Sequence, residues 1–257
     1  MSFKVISFDG ISGTGKSTLM RWAMGYFAQQ NKVAGISENL LDPWREELAA
    51  RIKDIRASNC DKKNEDRVFV EYAVRGRQFI TETFVQLLKT QAKTELLFLD
   101  RWTATCMAYQ SLNGLEPVEI FEKHNQAGII QPDLQVILTC PVDMAVDRVD
   151  RRTTKHGRGV SGKMSTVRKK DGTVVLIASH KKKQRIQSRF LEFSDFSGQG
   201  KVLVVDTAGA VEDIAAKVIS GISKSLGNVI ITKSAVRQKI EDGEFFPAPY
   251  DNMVLSG

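Results

Sequence analysis

Residues 10–17 read Gly10-Ile11-Ser12-Gly13-Thr14-Gly15-Lys16-Ser17 and follow the apolar-rich run Val5-Ile6-Ser7-Phe8. A strand therefore hands over to a glycine-rich turn, and the turn to a helix. Glycines lack Cβ, so the backbone at Gly10, Gly13 and Gly15 can fold tightly and aim successive N–H groups at phosphate oxygens. Lys16 can reach the β and γ oxygens of a nucleotide, and Ser17 can offer its hydroxyl to Mg²⁺. A helix starting near Lys16 adds its positive end. With Ser12, Thr14 and Thr18 on the same turn, this is the pattern of an NTP phosphate site.

The rest of the chain alternates short apolar runs with helical patterns, as βαβ units do. The expected strands are Lys4–Asp9, Lys32–Ser37, Leu96–Asp100, Leu134–Cys140 and Val202–Asp206. Helical segments are expected at Lys16–Gln30, Trp44–Ser58, Asp66–Gln91, Ala104–Ser111, Val142–Thr153, Lys182–Phe193 and Val211–Ser225. The expected fold is α/β, a P-loop three-layer sandwich whose five-stranded parallel sheet carries helices on both faces. In such sheets ligands sit at the carboxyl ends of the strands, where Asp9, Gly10, Asp42 and Asp100 fall. One domain is expected over 1–228, followed by a C-terminal extension over 229–257. The extension holds Val229-Ile230-Ile231 and the aromatic and proline segment Glu244–Tyr250, and the sequence leaves open whether it packs on its own domain or on a partner.

The net charge of +7 arises from one segment: between Arg151 and Arg189 thirteen Lys/Arg face only Asp171, a local +12 that leaves −5 for the remaining chain. That concentration suits a basic lid, about 151–183, closing over a polyphosphate, and equally a solvated loop. Within it, Asp171-Gly172 marks a small hairpin before Val174-Val175. A nucleic-acid surface is disfavoured, because such charge more often spreads along a domain. No stretch approaches the roughly 18–20 apolar residues of a membrane span, and Met1-Ser2-Phe3-Lys4 leads into a strand, which points to the cytoplasm. Cys60, Cys106 and Cys140 are odd in number and widely spaced, as expected for reduced thiols.

At the end of the third expected strand, Asp100-Arg101-Trp102 places an acid opposite the phosphate loop, where a carboxylate can hold Mg²⁺ and the adjacent arginine can neutralise a transferring phosphoryl group. Helical spacing carries Trp102, Thr105 and Tyr109 near one face. That face suits a nucleoside pocket, and it also suits a helix packing its aromatics into the core.

With these residues in view the chain resembles thymidylate kinases of the P-loop nucleoside monophosphate kinase group. Phe8–Thr18 resembles their phosphate loop, and Asp100-Arg101-Trp102 with Thr105 and Ala108-Tyr109-Gln110 is similar to their Asp-Arg-aromatic segment. Pro132–Leu138 through Arg148 and Arg152, then Gln184–Phe190 and Val204-Val205-Asp206, extend the likeness over about residues 1–225. The resemblance implies transfer of phosphate from ATP, with Mg²⁺, to a deoxynucleoside monophosphate, most simply dTMP. It implies that Lys16 grips the donor phosphates, that Ser17 and Asp100 hold the metal, and that Arg101 bridges donor and acceptor phosphates. Arg45 corresponds to the arginine for the acceptor phosphate, and Arg75, beside Tyr72, to the one that meets the base. Thr105, Tyr109 and Gln110 fall on the acceptor side, and Arg148, Arg151 and Arg152 on the lid. A homodimer is implied as well.

The departures cluster on the acceptor side. Ser12 stands where these kinases usually place an acid that supports the acceptor sugar, and a hydroxyl cannot supply that charge. Glu71 falls where an aromatic stacks on the base, with Phe69 and Tyr72 adjacent. Asp42-Pro43-Trp44 replaces a Glu-Pro-Gly type of segment, and deoxynucleoside kinases carry a tryptophan soon after a comparable Glu-Pro. A deoxynucleoside kinase or another monophosphate kinase on this scaffold is the near alternative. A nucleic-acid-dependent P-loop ATPase is the alternative of another class.

Overall fold

The computed structural model describes residues 3–37, 43–58, 60–90, 94–155, 167–168, 174–175, 177–193, 200–227 and 233–242. Five parallel strands form one sheet in the order β2-β3-β1-β4-β7, from β1 (Lys4–Gly10), β2 (Val33–Ser37), β3 (Leu96–Asp100), β4 (Leu134–Thr139) and β7 (Lys201–Asp206). Apart from rim positions the four strands β1 to β4 are buried throughout, as expected for a sheet covered on both faces by crossover helices. The register sets Phe8 beside Asp100 on one side and Val136 on the other. The last residues of β1 and β3 therefore open at the same edge of the sheet.

Helix α1 (Lys16–Phe27) follows β1 and buries Leu19, Met20, Ala23, Met24 and Phe27. Their spacing makes a single apolar stripe, and it packs on Ile6, Phe8, Phe98 and Val136 of the sheet. Each large apolar side chain so buried contributes about 1.5–3 kcal/mol. Helix α9 (Val211–Ser225) covers the same face with Ile214, Ala215, Val218, Ile219 and Ile222.

The other face carries α3 (Lys62–Ile80), α5 (Thr103–Gln110), α6 (Pro117–Gln126) and α8 (Ile177–Glu192). Helix α2 (Arg45–Ala57) packs outside α3. The long helical run expected from Asp66 to Gln91 is present, but it starts at Lys62 and passes through a π turn, Thr81–Val85, before α4 (Gln86–Thr90). Helix α7 (Val142–Lys155) leads into the basic segment, where β5 (Val167–Arg168) and β6 (Val174–Val175) pair antiparallel. That pairing is the expected hairpin, although its Asp171-Gly172 turn lies outside the described residues.

Two helices were not expected from sequence. α6 begins on Pro117, which suits a first helical position, and buries Ile120, Phe121 and His124. α10 (Lys233–Glu241) lies within the extension and docks on α9, with Val236 buried and Arg237 paired to Asp213 at 2.7 Å and Glu241 at 2.8 Å. Val229–Ile231 and Glu244–Tyr250 lie outside the described residues. Among the described residues no helix is long and apolar enough to cross a membrane.

Candidate active site

The phosphate loop owes its shape to two close approaches. A Cβ on Gly10 would stand 2.4 Å from the Leu138 carbonyl oxygen, and one on Gly13 would stand 2.1 Å from that of Ala145. Both residues also have positive φ, 138° and 101°. The Thr14 hydroxyl donates to the Ile11 carbonyl at 2.9 Å and braces the turn from inside. Lys16, 6% exposed, curls back so that Nζ donates to the carbonyls of Gly10 at 3.0 Å and Ile11 at 2.8 Å.

Asp100, at the end of β3, meets the first turn of α1: the Ser17 hydroxyl donates to Oδ2 at 2.8 Å. Its other oxygen, Oδ1, is buried with no hydrogen-bond partner among the described residues. A hydroxyl beside a carboxylate oxygen with spare acceptor capacity is a donor set that suits Mg²⁺. Arg101 follows with φ +70°, a left-handed conformation that costs a side-chain-bearing residue about 1–2 kcal/mol. Its N–H is tied to the Phe8 carbonyl at 3.0 Å and its guanidinium donates to the Ser12 hydroxyl at 3.3 Å. Strain of this kind persists where surrounding bonds over-determine it, and it tends to mark functional positions.

The residues that follow Arg101 are tied to Asp9, which is fully buried. Its Oδ1 accepts from Trp102 N at 3.1 Å, Thr105 N at 3.2 Å and the Thr105 hydroxyl at 2.6 Å, while Oδ2 accepts from Ser7 at 2.8 Å. Asp9 thus satisfies the opening N–H groups of α5. The face expected to present Trp102, Thr105 and Tyr109 to a ligand is partly used in packing. Trp102 is fully buried and donates Nε1 to the Ile130 carbonyl, Thr105 is turned to Asp9, and Tyr109 meets Phe190 edge-on at 6.4 Å between centroids. Gln110 is half-buried at the end of the same helix.

On α3, Arg75 is 53% exposed and lies over the Trp44 ring at 4.4 Å, with Glu47 at 3.6 Å. Tyr72 donates its hydroxyl to the same Glu47 oxygen at 2.7 Å. Tyr72, Arg75 and Trp44 therefore form one group braced by α2. Arg151 is exposed on α7. Asp42 and the side chains of Arg45 and Arg152 lie outside the described residues.

The loop, Thr18, Asp100, Arg101 and Arg148 line one cavity of about 690 Å³ that runs on to Thr207, Gly209, Val211 and Ile214. Arg148 donates to the Thr207 carbonyl at 2.9 Å and the Gly13 carbonyl at 3.4 Å. It ties α7 to both the phosphate loop and the turn after β7. Beside it Cys140 is buried, and burial pushes its thiol pKa up, as expected of an inert thiol.

Behind Trp102 lies Arg77, 1% exposed, its guanidinium 5.6 Å from the indole centroid and donating to His124 Nε2 at 2.7 Å. His124 Nδ1 in turn donates to the Ile120 carbonyl at 2.7 Å, so the ring is the neutral Nδ1–H form. Burial first, and the Arg77 charge second, hold its pKa down at about 3 against an ordinary 6.5. Between those values the unfolded chain binds a proton that the folded one refuses. The stability is complete above about pH 6.5 and is lost as pH falls toward 3. By pH 5 the loss should reach about 2 kcal/mol, read as a falling melting temperature. His124→Gln should flatten that slope, and an unchanged slope would assign it elsewhere.

The family model for thymidylate kinase matches residues 8–218. The chain belongs to the thymidylate kinase family. Thymidylate kinase from Kosmotoga olearia is 24% identical over 216 residues, covering 83% of this chain and 92% of that protein. The one from Nitratidesulfovibrio vulgaris is 23% identical over 230 residues, covering 87% and 94%. A third, from Cupriavidus necator, is 30% identical over a shorter 154 residues, covering 58% and 71%. As a member of this family the chain is a phosphotransferase that uses ATP, and the resemblance carried by its phosphate loop and Asp100-Arg101-Trp102 segment holds.

Proposed function

We propose that this chain transfers the γ-phosphoryl group of ATP to dTMP, giving ADP and dTDP. The observation that carries the reading is the placement of Lys16 and the loop amides opposite the Ser17–Asp100 pair, with Arg101 turned back onto Ser12 across the same cavity. Phosphoryl transfer asks for positioning and charge cancellation more than for covalent help. Lys16 exchanges the Gly10 and Ile11 carbonyls for donor phosphate oxygens, and the backbone N–H groups of residues 13–18 hold the rest of the triphosphate. Ser17 and Asp100 would hold Mg²⁺, which supplies charge neutralisation at the donor phosphates. Arg148 and the Thr207–Ile214 wall enclose the nucleoside end of the donor.

Arg101 neutralises the acceptor phosphate, with Arg45 as its companion, and Arg151 and Arg152 add charge from the lid. Arg75, held by Trp44 and Glu47, and Tyr72, Thr105, Tyr109 and Gln110 form the acceptor side. In the same reading 1–228 is the kinase domain, 151–183 its lid and 229–257 an extension. Two copies pair as a homodimer in the cytoplasm.

The test is ADP release by the full chain with ATP and Mg²⁺ across a panel of nucleosides and monophosphates, with and without DNA. Release that requires dTMP is the expected result. A thymidine-only or other single-acceptor response, or stimulation by DNA without any acceptor, would overturn the assignment.

A further inference from the structure

Helix α8 brings the chain back from the basic segment, and its first turns reach α7, α3, the end of α5 and the phosphate loop. His180 meets Asp143 of α7 at 2.5 Å, and Arg185 donates to the Leu112 carbonyl, just past α5, at 2.8 Å. Lys182 lies in the field of Asp66 on α3. Lys183 takes a different direction: half-buried, it donates Nζ to the Ser12 carbonyl of the phosphate loop at 3.3 Å.

Three cations therefore sit on three successive loop residues. Lys16 bonds the carbonyls of Gly10 and Ile11, Lys183 that of Ser12, and Arg101 the Ser12 hydroxyl. Ser12 lines the cavity between the loop and Asp100-Arg101. An ammonium held by a neutral carbonyl gains far more from an anionic phosphoryl oxygen at the same distance, so an arriving substrate competes favourably for it. The four-carbon stem of a lysine allows the small swing this requires.

We propose that Lys183 is a further catalytic residue, which leaves the Ser12 carbonyl to bind the phosphoryl group during its transfer. This rests on the kinase reading above. In the step, the bond between the γ-phosphorus and its bridging oxygen breaks, and ADP leaves with that electron pair. A bond from an acceptor phosphate oxygen to the same phosphorus forms. Lys183 stays protonated throughout and contributes charge alone, so its effect is largest where equatorial oxygens carry the most charge.

The full chain, Lys183→Met and Lys183→Arg are compared in steady-state turnover, thermal melting, and binding of ADP with aluminium fluoride and the acceptor. Lys183→Met should lose about a hundredfold in kcat, with KM for ATP within about threefold of wild type. Its affinity for the ADP–aluminium fluoride–acceptor complex should fall by a similar factor while affinity for ADP alone holds. Lys183→Arg should recover most of the loss. A kcat for Lys183→Met within about twofold of wild type, or equal losses in both variants accompanied by lower melting temperatures, would overturn the proposal. These ratios are taken with whichever acceptor the panel finds productive, so a wrong acceptor assignment fails separately.

Discussion

Lys16→Ala should reduce turnover by about a thousandfold or more, equivalent to about 4 kcal/mol of transition-state stabilisation, while the protein melts within a few degrees of wild type. The two halves of that expectation have separate grounds. Lys16 bonds the loop carbonyls of Gly10 and Ile11, and the Ile11 carbonyl keeps the Thr14 hydroxyl when the lysine is gone. The loop is shaped by the approach of Gly10 to Leu138 and of Gly13 to Ala145, which the substitution does not touch. What disappears is a positive charge that is nearly sealed from solvent and is poised at the donor phosphates. Rapid-quench turnover paired with a thermal melt separates the two. Activity within tenfold of wild type would remove Lys16 from the reaction, and loss of folding would show that its bonds to the loop are structural.

Much of this was legible in the sequence because it depends on local rules. A parallel strand reads as an apolar run, and a phosphate loop reads as glycines ahead of Lys-Ser, so all five strands and the loop came from pattern alone. Asp100 was found because it ends a strand. The missed pieces depend on tertiary contact. In the run Lys181–Lys183 nothing local distinguishes the lysine that faces α3 from the one that faces Ser12, since the direction of each is fixed only when α8 docks. α10 has only Val236 and Ile240 as large apolar residues, and its position depends on the Arg237–Asp213 pair to a helix 24 residues earlier. α6 did carry a signal, a proline followed by Ile120, Phe121 and His124 on one face, but its ten residues are short for periodicity to decide. The helical spacing expected to put Trp102, Thr105 and Tyr109 on one face does not extend to Trp102, which precedes α5 in a non-helical conformation and packs in a different apolar cluster from Tyr109. Spacing alone could not show that Trp102 is committed to the core and Thr105 to Asp9.

Asp9→Ala should be the most destabilising single substitution in the site, and Asp9→Asn a milder one that still lowers turnover. Asp9 is fully buried and accepts four hydrogen bonds, two of them from backbone N–H groups across a sequence separation of 93 and 96 residues. Alanine leaves the Trp102 N–H, the Thr105 hydroxyl and the Ser7 hydroxyl without this acceptor, while the Thr105 N–H keeps the Trp102 carbonyl at 3.0 Å. At about 1–3 kcal/mol for each buried orphan, the loss is about 4 kcal/mol or more. Against a total of about 5–15 kcal/mol for a typical domain, that brings the fold near its limit. Asparagine keeps one oxygen for the N–H groups but gives up the negative charge at the start of α5 and must meet Ser7 with an amide, costing about 1–2 kcal/mol. Because Trp102 N is the next donor after Arg101, whose φ is +70°, any slackening there frees Arg101 to leave its strained conformation. Turnover of Asp9→Asn should then fall by about tenfold or more although the residue lies beneath the cavity floor. Urea unfolding and kcat measured on both variants decide it. An unchanged midpoint for Asp9→Ala would mean that α5 is held without this carboxylate. Full activity in a destabilised Asp9→Asn would mean that Arg101 keeps its place by other bonds, of which its N–H to the Phe8 carbonyl is the first candidate.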